Sequence, residues 1–472
     1  MTILPINPAE NATPVALRAF LVQCRDAAAR AGRPKLVSIS LAVDALDPLA
    51  VLESIFEPAE PHFYAERPVI ESAIAGAEIA VVHEASGRDR FTRVQRFIDE
   101  TLTDTIAVGD VAAPFGGPHF FASFAFADQT EPGEAFPPAR VFVPRWQVAR
   151  AGSTTTAVAN LLVTADSDLA ALTERVWRAP GKFGRFRYRE IPADAQDQSA
   201  PRFTLKEAGD YRAAVGRGLE RIAAGEFRKI VLARAIELRA GVPLHPLRIL
   251  NGLRQRFPDC YSFSCANGRG QSFIGASPER LVRASKGVLE TEALAGSMRR
   301  GATASEDATL AAALLSSEKD LREQREVLDD IVARLLPLGL ALDVPAKPDV
   351  RRLANVQHLC TPVRAALPES VRLLDVLAAL HPTPAVGGSP RDPAVACIRE
   401  LESFPRGLYA GTLGWLNARG GGEFFVGIRS ALVDGACARV YAGAGIVAGS
   451  TPEKEFAETE LKFGAMLDAL TA

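Results

Sequence analysis

Residues 424–462 read FFVGIRSALVDGACARVYAGAGIVAGSTPEKEFAETELK, and the order of signals in this stretch decides the fold class. Apolar residues recur through 424–433 and again through 438–447, and Asp434-Gly435 between the two runs marks a hairpin turn. Pro452 then opens a helical period that continues to the C-terminus, because proline suits the first turn of a helix. Antiparallel strands followed by a helix point to an α+β fold. Working outward, the pattern predicts strands at 229–239, 262–266, 272–275 and 287–293, with helices at 206–224 and 316–336. Further upstream a helix at 16–31 and strands at 36–41 and 120–126 alternate without a repeat. Between the two regions, residues 191–202 (IPADAQDQSAPR) hold two prolines and no apolar period, as a linker does. This divides the chain into an N-terminal α/β portion, 1–200, and a region 205–472 where the chemistry-bearing residues cluster.

The 472 residues are 48% hydrophobic and 23% charged, enough for a large core and against general disorder. Lys and Arg number 54 against 56 Asp and Glu, so no basic field attracts nucleic acid. No run approaches the roughly 20 apolar residues of a membrane span, and the first thirty residues show no secretory or transit pattern, so a cytoplasmic location is expected. The six cysteines form no CxxC pair and read as reduced core thiols.

Gly443, Gly445 and Gly449 superficially suggest a dinucleotide loop, but the acidic helix that follows would repel a pyrophosphate. They either shape a strand or let a small ligand lie against the backbone. Glu455 and Glu458 stand at i, i+3, and Lys462 and Met466 continue the same face. Asp320 and Glu323 repeat the arrangement above Val327 and Ile331. Two helices therefore each present an acidic pair beside an apolar stripe. Oxygen ligands without nearby His or Cys favour Mg²⁺ over Zn²⁺. Lys229 shares a strand face with Phe227, Val231 and Ala233. It either blunts a sheet edge or, if buried, serves as a neutral amine that accepts a proton. Glu279 follows Ser277-Pro278, a turn that could equally begin a helix.

Taken together, KIVLAR, GASPERL, TEALAGS, SEKDLREQ, VQHL, HPTPAVGGSP, RGLYAGTLGW, VGIRSA, YAGAGIVAGS and PEKEFAETELK, in order between residues 206 and 462, resemble the chorismate-utilising enzymes. Within that family the chain is most similar to the isochorismate synthases, including those of menaquinone biosynthesis. The resemblance implies two sheet-bearing subdomains packed face to face with helices outside. It implies that Glu323 and Glu458 bind Mg²⁺, supported by Asp320 and Glu455, and that the metal holds the ring carboxylate of chorismate. It gives Arg429 and Tyr409 to the enolpyruvyl carboxylate, and lines the pocket with Ala295, Gly296, Ser297, His381, Ala385, Gly443, Gly445 and Lys462. Lys229 marks the branches that add water rather than ammonia, with Glu279 as the acid, and Ala385 replaces the threonine of the salicylate-forming branch. A monomer is implied, with no glutaminase subunit and no membrane or nucleic-acid partner. The alternatives are a salicylate synthase, which would go on to eliminate pyruvate, and a non-catalytic chorismate-binding paralogue. Gln324 and Ser297 depart from the family's usual histidine and threonine.

Overall fold

The computed structural model describes residues 1–3, 13–183, 203–353 and 356–471, so the linker expected at 191–202 lies outside the described residues. Two large sheets, of 14 and 10 strands, make up the fold. Successive side chains of a strand point to opposite faces, and this alternation builds two cores at once. In Pro61–Arg67, Phe63 faces inward and stacks on Phe121 of the second sheet, with ring centroids 4.7 Å apart. Its neighbour Tyr64 faces outward and joins Leu247, Ile274 and Phe463 in a core beneath the helices Pro246–Arg256 and Pro452–Thr471. Phe263 of the first sheet likewise meets Phe425 of the second at 5.1 Å. Each fully buried Phe contributes about 1.5–3 kcal/mol, so this aromatic layer is the main cement between the sheets. The expected α+β architecture, with two sheets face to face and helices outside, is the one observed.

Both sheets draw strands from either side of residue 200. Pro61–Arg67 pairs with Tyr261–Asn267 in the first sheet, and His119–Phe124 pairs with Thr412–Asn417 in the second.

Three elements differ from the sequence expectation. The run 424–433 is two strands in different sheets: Gly422–Val426 belongs to the second and Ser430–Asp434 to the first. The chain crosses at Gly427 to Arg429, where Arg429 adopts the left-handed φ of 51° that a non-glycine residue rarely takes. The SPE turn is a second crossing, because Gln271–Ser277 lies in the first sheet and Arg280–Ser285 in the second, and no helix starts there. The two crossings run side by side: Val426 N–H donates to Glu279 O at 3.0 Å and Ala276 N–H to Arg429 O at 3.1 Å. Thirdly, the helix expected over 206–224 is an edge strand, Thr204–Ala208, followed by the helix Tyr211–Ala223, which Asp210 caps. The helix expected at 316–336 is observed as Glu318–Leu335, capped by Ser317.

Candidate active site

Lys229 opens the strand Lys229–Arg239, which at this point lies between Cys437–Val447 and the two-residue strand Gly388–Ser389. It is therefore not at a sheet edge. Phe227, Val231 and Ala233 are buried with it, and its Nζ donates to Glu323 Oε1 at 3.1 Å. A Cβ on Gly445 would stand 3.0 Å from Lys229 Cε, and one on Gly443 only 2.7 Å from Tyr409 Oη. The two glycines thus clear space for functional side chains approaching across the sheet, with no phosphate loop involved.

Thr459, Phe463 and Met466 fix the buried stripe of the final helix, Pro452–Thr471. Along its margin Lys462 Nζ donates to Gly443 O at 2.8 Å and to Glu458 Oε1 at 2.6 Å. Met466 is buried as the spacing predicts, but the Glu458 side chain is 49% exposed, because its face borders an open cleft rather than a core. Burial raises the Glu455 carboxyl, and Glu458 adds to the effect. Burial also lowers Lys462, with Arg429 acting the same way and Glu458 opposing. Arg234 anchors the helix from behind: it donates to Thr459 Oγ1 at 2.8 Å and Glu460 Oε1 at 2.6 Å, and packs over the Phe456 ring at 3.6 Å.

Glu323 projects from Glu318–Leu335 toward the same cleft, and its side chain is 40% exposed. One turn earlier, the Asp320 carboxylate accepts from the Ser317 hydroxyl. A bulge at Ala295/Ser297 turns Gly296 to φ 67° beneath Asp320, leaving 3.0 Å between Asp320 Cβ and a Cβ at that position. Ser297 Oγ lies 2.9 Å from Nδ1 of His358, whose ring burial holds down to about 4. Gln324 donates to Ala293 O and Thr361 Oγ1, both at 2.9 Å, so the departure at this position staples the helix to two strands of the second sheet.

Glu279 sits on its crossing between the sheets. Burial pushes its carboxyl up to about 7 and Glu292 adds to this, whereas the positive charges of Lys229 and Lys462 oppose it. On the other crossing, burial lowers Arg429, whose guanidinium makes no ion pair or hydrogen bond among the described residues. Tyr409 stacks on Tyr441 at 5.0 Å, and burial raises its hydroxyl. Ala385 borders a small cavity with Glu279, Thr383 and Glu292.

Among the described residues no three carboxylate, histidine or cysteine groups gather into a ready-made cation site. The four expected ligands occur instead as two pairs, with Lys229 on Glu323 and Lys462 on Glu458. The donor chemistry nevertheless fits Mg²⁺, a hard cation that keeps several waters and takes one or two carboxylates. The His381 ring is buried beside Phe91, lies 3.3 Å from Ala125 O and is held down to about 3 by burial. Sequence reading also missed the buried pair Glu402 and Arg406. Glu402 accepts from Ala233 N–H at 2.7 Å, and Arg406 donates to Val231 O at 2.7 Å and Val386 O at 2.9 Å. Their i, i+4 spacing was the available signal.

Residues 20–471 match the family described as chorismate binding enzyme. The chain belongs to that family. Among its chorismate-binding relatives, the salicylate biosynthesis isochorismate synthase of Pseudomonas aeruginosa is 36% identical over 93% of this chain and 91% of its own length. Isochorismate synthase MenF of Bacillus subtilis is 31% identical over 92% and 93%. The solved structure of MenF, the menaquinone-specific isochorismate synthase of Escherichia coli, superposes with a TM-score of 0.77 at 27% identity, over 95% of this chain and 99% of that one. Anthranilate synthase component I of Streptococcus pneumoniae shares the fold, with a TM-score of 0.66 at 23% identity over 84% of this chain and 92% of that one.

Proposed function

We propose that the chain is a Mg²⁺-dependent isochorismate synthase that acts in the cytoplasm and supplies menaquinone synthesis. The observation that carries this reading is that a buried lysine and a carboxyl raised to about 7 lie against one helix, Glu318–Leu335: Lys229 donates to Glu323, and Glu279 borders a cavity with Val327 and Ile331. Lys229, as an amine, takes the proton from the water that attacks C2 of chorismate. Protonated Glu279 gives its proton to the hydroxyl leaving C4, and the double bond shifts between them, so one water enters and one departs. Glu323 on Lys229 Nζ aims the amine, and the free guanidinium of Arg429 receives the enolpyruvyl carboxylate as a planar fork.

Glu323 and Glu458, backed by Asp320 and Glu455, would hold the metal. With Lys229 as a neutral amine, Lys462 and Arg429 supply two formal positive charges against four negative ones on these acids, and a doubly anionic substrate deepens the deficit. When bound, Mg²⁺ offsets that charge and orients the ring carboxylate. Incubating the purified protein with chorismate and Mg²⁺ should give isochorismate in equilibrium with chorismate, and excess chelator should stop the reaction. Stoichiometric salicylate and pyruvate would assign a salicylate synthase instead, and no turnover a binding paralogue. Deleting the gene should deplete menaquinone.

A further inference from the structure

The small cavity behind Glu279 is bordered by Thr291, Glu292, Thr383 and Ala385. Glu292, on the strand Val288–Arg299, has a side chain only 1% exposed. Arg351 grips it through both terminal nitrogens, Nη2 at 2.7 Å, and Arg280 Nη2 approaches at 3.4 Å. The mechanism above uses none of these three residues. We propose that Glu292, clamped by Arg280 and Arg351, is a positioning residue that keeps the transferable proton on Glu279. This rests on the isochorismate synthase reading.

Two carboxyls that border one enclosed space cannot both ionise cheaply, so the less compensated one retains its proton. Two guanidiniums compensate Glu292. Among the described residues no ion pair holds Glu279: Glu292 and the adjacent Arg280 border the same cavity, and the charges of Lys229 and Lys462 act on it through space. The cavity also explains an otherwise idle group. Thr383 Oγ1 is buried there without a partner, beside room for about one water.

The test is the pH profile of kcat for the full-length, Mg²⁺-loaded protein with chorismate. Glu292→Gln removes the negative charge that favours protonated Glu279, so the alkaline limb should move down by about half a pH unit or more. Arg351→Gln leaves Glu292 less compensated, so Glu292 competes for the proton and the limb should again move down. Downward shifts in both variants, with KM changing less than kcat, support the proposal. A limb that stays at the wild-type position in both variants overturns it, even if overall activity falls, because a purely structural role lowers activity at every pH. If Glu292→Gln fails to fold by circular dichroism, Arg351→Gln decides alone, since Arg351 is 32% exposed. A wild type that forms no isochorismate rejects the parent reading instead.

Discussion

At the scale of single residues, the proposed proton transfer is divided between a lysine and a carboxyl. Lys229→Ala and Glu279→Gln should each lower kcat by about 100-fold or more, while isothermal titration still detects chorismate binding. Wild-type turnover in either variant would refute the assignment. Glu279 must be protonated to act, and its carboxyl stands at about 7. The sign follows: Glu279 sets the alkaline limb, so kcat/KM should fall as pH rises through that value. Ala385 borders the cavity that Glu279 borders, so Ala385→Thr adds bulk next to the acid, and chromatography should show less isochorismate formed. Alternation placed Lys229 on one face with Phe227 and Val231 but left open whether that face was a sheet edge or buried. Its bond to Glu323, 94 positions away, was not legible, because the approach of a helix to a strand is a tertiary event with no local signature.

The elements show where sequence reading succeeds and where it stops. The strand Lys229–Arg239 and the helix from Pro452 were readable because period and cap agree over many residues. The exposed strand Thr204–Ala208 was not, because TLKEA carries no apolar alternation and its conformation comes from pairing with Lys229–Arg239. Nor was the break in 424–433, where apolar residues continue straight through the step between the sheets. Glu402 and Arg406, with side chains 3% and 4% exposed, tie the loop at Val386 to the strand carrying Lys229. Removing one partner of a buried pair leaves the other charge uncompensated, so Arg406→Met should cost about 3–5 kcal/mol of stability, read as a lower midpoint in urea unfolding. A midpoint within error of wild type would show that the pair is dispensable.

For the whole molecule, strands from the first 200 residues form one end of each sheet and join the later strands through Pro61–Arg67 and His119–Phe124, and the main core draws side chains from both regions. Calorimetry should accordingly show one cooperative unfolding transition, and two resolved transitions would contradict this account of the packing. Glu279 and Arg429 ride on the paired crossings between those sheets. Each crossing segment belongs to two registers at once, and a slip of one residue would turn every side chain of the adjoining strand to the wrong face. The consequence is a constraint on chain length rather than on chemistry. Gly427 is held in addition by space, since a Cβ there would stand 2.5 Å from Leu408 O, and an insertion or deletion between Val426 and Ser430 has no loop in which to be absorbed. Across the chain's lineage, this segment should keep glycine at 427 and refuse indels.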